Sequence, residues 1–505
     1  MKLSRSSGVL AHITSLPGAF GSGTLGAEAR HFVDWLAGGG QSYWQVLPVN
    51  PVFDHLGFSP YASSSAFAGN ELLISPETLH RQGLLPAEVL AGFPANDESN
   101  DFALIQNHRW SLLRQAFQTF QKADHRAENE AWQSFCRDNR FWLDDYCLYT
   151  LLSQHHRTHL WLEWETNLAR RHPDALAEWR RKLAADIELL KFVQFQFFSQ
   201  WRELKSYANA RGVRIIGDIP IYVSLESADC WSHPEIFRLD PRTGKPDAVS
   251  GVPPDYFSST GQRWGNPLYR WFERPGQTNG PTLDWWQQRL RHQLMLFDLT
   301  RIDHFRGFES YWAIPADAPT AVTGSWQKGP GQEFFREMKR RLGSLPLIAE
   351  DLGIITDEVR ELCDQLELPG MKILQFAFDG DPRNPYLPHN FSNPNCVVYT
   401  GTHDNNTTCG WFYGDEIDDR IRKNVHDYLG CDQEQEIHWQ LIRLALASTA
   451  ALVITPLQDL CGLDYLCRMN TPGKCQGNWR WRLSASRSLD DVQRRLLQLT
   501  RLFNR

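Results

Sequence analysis

Eight short apolar runs, mostly separated by helical patterns, constrain this chain more than any other feature of its sequence. In order they are GVLAHITSL (8–16), SYWQVLPV (42–49), VRIIGDIPIYV (213–223), LTRIDHF (299–305), PLIAEDL (346–352), MKILQFAF (371–378), CVVYTGTHD (396–404) and ALVITPLQD (451–459). Near-continuous apolar strands suit a parallel sheet covered by helices, because both faces of such strands are buried. Several follow a helical pattern closed by glycine, as in FVDWLAGGGQSYW, LKSYANARGVRII and MKRRLGSLPLIAE. Glycine ends a helix there because it tolerates the left-handed backbone. Eight strands with helical crossovers predict the α/β class and a (β/α)8 barrel. Two gaps exceed a simple crossover. Residues 53–205 predict a mostly helical insertion after strand 2, and 224–285 a loop-rich insertion after strand 3 that reaches over one rim. The 505 residues then form a single barrel unit.

Composition removes several classes of function. The formal charge of −7 argues against a general phosphate-backbone binder. The one basic run, LARRHPDALAEWRRKLAA, contains carboxylates and fits a solvated helix face better than a nucleic-acid site. Ten cysteines form no CxxC pair and no Cys/His cluster of zinc-finger spacing. Reduced, buried thiols in the cytoplasm, with neither metal nor cofactor, are the simplest expectation. The N-terminal apolar stretch is short and broken by His12 and Pro17, a poor signal peptide. No apolar run approaches the roughly 20 residues that span a bilayer. Nothing in the sequence demands a partner subunit, so a monomer or weak dimer is expected. GSGTLG (21–26) lacks the spacing and the strand–helix context of a dinucleotide fingerprint.

The polar groups carry the functional signal. Asp218 follows RIIG, Asp303 follows LTRI, Glu350 follows PLIA and Asp404 follows VVYTGTH. Each carboxylate lies near the C-terminal end of an apolar run, and in a parallel barrel those ends share one rim, where such enzymes place their chemistry. Each has a bland alternative. Asp303 could simply pair with Arg301 or Arg306. Glu350 and Asp351 could favour the N-terminus of a following helix. Asp404 could form a side-chain turn in THDNNTT, and Asp218 could be structural. Four acids at matching places on separate strands fit convergence on one bowl better. Retaining cleavage of a glycosidic bond needs an ionised carboxylate and a protonated one, roughly 5 Å apart. Strand alternation puts Arg301 on the face of Asp303, where it should hold that acid charged. Glu350 has no neighbouring base in sequence, so burial could keep its proton. His403 and Asp404 could grip sugar hydroxyls. Tyr61, Tyr256, Phe257 and Trp264 sit in loops where flat rings suit sugar faces, or where the loops simply pack on themselves.

With these motifs assembled, the chain resembles the amylomaltase family, the disproportionating 4-α-glucanotransferases of the α-amylase superfamily. The matching segments include GVLAHITSLPG, YWQVLPVNP, SPYASSSAFAGN, IIGDIPIYVSLESADCW, GVPPDYFSSTGQRWGNPLYRW, TRIDHFRGFESYWAIP, IAEDLG, YTGTHDNNTT and RMNTPGKCQGNWRWRL, from residue 8 to 483. The resemblance implies a barrel without a separate C-terminal β-domain. It implies Asp303 as nucleophile, Glu350 as acid/base and Asp404 as transition-state stabiliser. It further implies that Arg301, His403 and Asp218 occupy subsite positions, and that Tyr61, Trp264, Asp255, Tyr256, Ser59 and His304 complete the glucan groove. The substrates expected are maltooligosaccharides, other α-1,4-glucans and glucose. A hydrolase of the same superfamily and a catalytically silent glucan-binding protein are the alternatives. The helical insertion matches the family only weakly, which leaves the remoter subsites open.

Overall fold

The computed structural model describes residues 2–90, 99–122, 126–254, 258–274, 276–430, 436–474 and 476–505. Asp255, Tyr256 and Phe257 lie outside the described residues. Eight strands form one sheet: β1 (Ser6–Leu10), β2 (Tyr43–Gln45), β3 (Arg214–Pro220), β4 (Leu299–Asp303), β5 (Leu347–Ala349), β6 (Gly370–Ile373), β7 (Cys396–Tyr399) and β8 (Leu452–Pro456). Each falls on one of the eight apolar runs. Their spatial order is β5-β4-β3-β2-β1-β8-β7-β6, and every pairing is parallel. The two edges meet where the Ala349 N–H donates to the Pro369 carbonyl at 2.9 Å, closing the (β/α)8 barrel.

Burial explains why the runs read as continuously apolar. Leu10, Ile216, Leu299, Val397 and Ile454 share one packed cluster, while their neighbours Val9, Ile215, Val398 and Val453 belong to another. Alternate side chains therefore serve two cores, so both faces must be hydrophobic. Gly217 shows how tight this is, since a Cβ there would lie 2.1 Å from the Phe297 ring.

The strands are shorter than the runs that predict them. β1 stops at Leu10 and the chain turns through a short 3-10 helix at Ile13–Ser15, and β6 gives way to another at Leu374–Phe376. Past the rim no neighbouring strand remains to pair with, and backbone groups find partners in tight turns instead.

Between β2 and β3 run the helices Phe102–Lys122, Arg126–Asp138, Arg140–His156, Pro173–Lys182 and Ala184–Ala210. The last feeds β3 through Gly212, whose φ of 76° is the left-handed turn expected of that glycine. The segment after β3 is less loop-like than its sequence. Ala248–Val252 and Gln262–Pro267 join Ser310–Pro315 and Ser325–Lys328 in a four-stranded antiparallel sheet. Half of that sheet lies beyond β4, so local composition gave no sign of the pairing. No helix among the described residues is long and apolar enough to cross a membrane.

Candidate active site

The end of β4 carries the centre of the site. Ile302 is fully buried, and Arg301 and Asp303 share the opposite face. Register places Asp218 of β3 directly beside Arg301 and Pro220 beside Asp303. Arg301 Nη1 donates to both Asp218 carboxylate oxygens at 2.7 and 2.8 Å, and Nη2 donates to Asp303 Oδ1 at 2.9 Å. Its Nε lies 3.4 Å from Met371 Sδ, below it in the barrel. The Asp218 side chain has no exposed surface, whereas that of Asp303 keeps 30 %. Asp218 thus lies behind the guanidinium instead of facing the cleft, and works on the site through Arg301 and Tyr61.

Tyr61 donates its hydroxyl to Asp218 Oδ2 at 2.8 Å. Its ring stacks on His403 with centroids 5.1 Å apart and planes within 17°. Burial and the Asp218 charge push the Tyr61 phenol well up, so it stays a donor. Ser59, two residues earlier, accepts from the Tyr61 N–H at 3.3 Å and so helps fix the turn that presents the ring.

Glu350 follows β5. Its Oε2 accepts from the His304 N–H at 2.7 Å and its Oε1 from the Leu352 N–H at 2.9 Å. His304 has φ 53°, a left-handed conformation uncommon for a residue with a side chain. That turn aims its N–H at the Glu350 carboxylate while the Phe305 N–H donates to the Glu350 carbonyl at 3.2 Å. The next helix starts only at Asp357, so helix-end stabilisation does not account for Glu350. Burial, then the nearby Asp303 charge, push the Glu350 carboxyl up to about 8, against the Arg301 charge and the two backbone N–H groups. Burial also raises Asp303, with Arg301 pulling the other way. The expectation that Arg301 holds Asp303 in the ordinary ionised range therefore captured only one side of the balance. The difference between the acids is nevertheless physical. Asp303 has a guanidinium at 2.9 Å and an open face, and among the described residues Glu350 accepts from two backbone amides.

Asp404 lies in the loop after β7 with its side chain 44 % exposed. It sits inside the backbone turn Thr402–Asn405, but its carboxylate does not close the side-chain turn that its sequence allows. Its Oδ1 accepts from Asn470 Nδ2 at 2.6 Å and stands 3.4 Å from His403 Nε2. Arg468 donates to the Asp404 carbonyl at 2.7 Å, and Trp479 lies beside Tyr61 and His403. Asn470, Arg468 and Trp479 went unassigned at the level of sequence, although they belong to the quoted segment RMNTPGKCQGNWRWRL. Their only signal was that match, since no spacing links them to β7.

Trp264, on Gln262–Pro267, is 39 % exposed and meets His304 edge-on at 4.7 Å. Burial holds the His304 imidazole neutral by lowering it to about 3, and among the described residues its Nε2 has no hydrogen-bond partner. A buried nitrogen beside an exposed indole is ready for a hydroxyl-bearing ligand. A pocket of about 420 Å³, open to solvent, adjoins His403 and is lined by His12, Asn405, Asn406 and Arg468. Neither Asp303 nor Glu350 lines it. Together these contacts gather three acids, a guanidinium, two histidines and aromatic walls at the C-terminal rim.

A family model described as 4-alpha-glucanotransferase matches residues 11–488. The chain belongs to the 4-alpha-glucanotransferase family. It is 46 % identical over 504 residues to the 4-alpha-glucanotransferase of Synechocystis sp., covering 99 % of this chain and 98 % of that protein. It is also 46 % identical to the 4-alpha-glucanotransferase of Thermus thermophilus, covering 96 % of this chain and 95 % of the relative. Among solved structures, the amylomaltase of Streptococcus agalactiae in complex with acarbose superposes with a TM-score of 0.93. That protein is 37 % identical and covers 99 % of both chains. The amylomaltase of Corynebacterium glutamicum, at 18 % identity and a TM-score of 0.77, shares the fold over 98 % of this chain and 75 % of its own. Membership in this family makes the chain a glucan-transferring enzyme, and the three acids are the candidates for its chemistry.

Proposed function

We propose that Asp303, Glu350 and Asp404 transfer α-1,4-glucan segments by a retaining double displacement. Asp303 Oδ attacks the anomeric carbon of a maltooligosaccharide donor while the Glu350 carboxylic acid gives its proton to the departing glycosidic oxygen. One C–O bond breaks, and a glucosyl ester on Asp303 forms. Glu350, now ionised, takes the proton from the 4-hydroxyl of glucose or another glucan, whose oxygen displaces Asp303 and regenerates both acids. Asp404, fixed by Asn470, accepts hydroxyl hydrogens of the flattened sugar ring in the transition state. His304 Nε2 and the Trp264 face bind the sugar beside the cleaved bond.

The contrast between the two acids carries this reading. One is ion-paired to Arg301 and the other, pushed up to about 8, retains its proton at neutral pH. Asp303 and Asp404 both keep open surface. Exclusion of water must therefore come largely from the acceptor sugar itself, together with the loops around Tyr61 and Trp264. Maltotriose supplied alone tests the reading. Glucose together with a ladder of longer chains, at a constant number of reducing ends, supports transfer. Shorter sugars only, with a net gain of reducing ends, support the hydrolase alternative.

A further inference from the structure

A second group of side chains with ligand chemistry sits on the same rim, away from the three acids. Asp54, His55 and His159 each offer a ligand atom, and these atoms lie within 4.8 Å of one another. Glu226 joins them, with its Oε2 2.8 Å from His55 Nε2. Asp54 Oδ1 stands 3.5 Å from His55 Nδ1. The charges of both carboxylates also reach His159. We propose that Asp54, His55 and His159 form a binding site for a divalent transition-metal ion of the zinc class, with Glu226 orienting His55 from its other ring nitrogen.

Three physical points support it. First, the donor set is two imidazoles with a carboxylate, which zinc and its neighbours favour over hard cations such as magnesium. Ligands at about 2.0–2.2 Å around a tetrahedral ion lie about 3.4 Å apart. Closing from 4.8 Å is a small adjustment for side chains at the surface. Second, His55 has a carboxylate facing each ring nitrogen. With an ion at Nδ1 on the Asp54 side, Nε2 keeps its N–H for Glu226 at 2.8 Å, the place of the carboxylate that orients a metal-bound imidazole from its other nitrogen. Third, the surroundings are built. Phe53 is buried and packs against both imidazoles, with ring centroids at 5.0 and 4.8 Å. The two imidazoles lie 5.2 Å apart and within 15° of parallel. The His159 backbone is pinned by the Tyr149 hydroxyl, which donates to its carbonyl at 2.6 Å.

The ligands and the carboxylate that orients His55 come from three segments far apart in sequence: the loop after β2, the turn after the helix Arg140–His156, and the loop after β3. That separation is why spacing motifs gave no metal signal. A bound ion would tie these segments together, and the first of them runs directly into Ser59 and Tyr61. The site's consequence is therefore a stiffer rim, and its existence does not depend on the catalytic roles proposed above.

The test uses the full chain without a histidine tag, stripped of metal by a chelator and titrated with zinc chloride by calorimetry. One equivalent is expected to bind, with affinity at least tenfold weaker in His55→Ala and in His159→Ala. Cobalt(II) should give visible d–d bands without the thiolate charge-transfer band that cysteine ligation produces. If His55→Ala does not fold, Glu226→Gln should also weaken binding. Failure of the wild-type chain to bind zinc would overturn the proposal. So would undiminished binding by His55→Ala/His159→Ala, or a thiolate band showing that the ion sits on cysteine.

Discussion

Replacing Glu350 by glutamine should make the fold more stable at alkaline pH while abolishing transfer. Burial and the Asp303 charge push this carboxyl from an ordinary 4.5 to about 8. Between those values the folded chain keeps a proton that the unfolded chain has released. Stability is therefore fully present below about pH 4.5 and falls as pH rises through about 8. At about 1.4 kcal/mol per pH unit, ionising Glu350 inside the fold costs about 5 kcal/mol. Glutamine cannot ionise, so Glu350→Gln escapes that cost. Its amide NH2 must face either the His304 or the Leu352 N–H, a donor–donor clash worth about 1–3 kcal/mol. The clash does not change with pH and cancels when two pH values are compared. Urea unfolding of both proteins at pH 5 and pH 9 reads the difference. The stability of the variant relative to wild type should rise between them by about 2–4 kcal/mol, the upper figure being the roughly three pH units between pH 5 and about 8 at about 1.4 kcal/mol each. An unchanged difference would refute the account of how Glu350 keeps its proton. The same variant should bind maltooligosaccharides yet fail to rearrange maltotriose, since it retains the shape and lacks the proton.

Tyr61→Phe removes the hydroxyl that donates to Asp218 while keeping the ring on His403. Thermal or chemical unfolding should show a loss of about 1–2 kcal/mol, with kcat reduced because Asp218 anchors Arg301. Trp264→Ala removes an exposed ring beside His304. It should raise KM for maltooligosaccharides by about fivefold, corresponding to about 1 kcal/mol of ring contact, and leave stability within about 0.5 kcal/mol. A KM that does not move would take Trp264 out of the groove.

Sequence alone located all eight barrel strands, because a strand buried on both faces leaves a continuous apolar signature within a few residues. It also placed Asp218, Asp303, Glu350 and Asp404 near strand ends, and strand alternation put Arg301 and Asp303 on one face. These are local properties, set by backbone period and burial. Tertiary structure decided the rest. It put Asp218 behind Arg301, bent His304 left-handed to hold Glu350, and brought Asn470 and Trp479 from near the C-terminus to Asp404 and Tyr61. It also paired strands of the segment after β3, which composition reads as loop-rich, with strands beyond β4, and set His55 beside His159. Such contacts join residues whose separation along the chain carries no periodic signal, so only closure of the barrel and docking of its insertions could fix them. The proton on Glu350 belongs with them, because a carboxyl's acidity depends on what surrounds it in space.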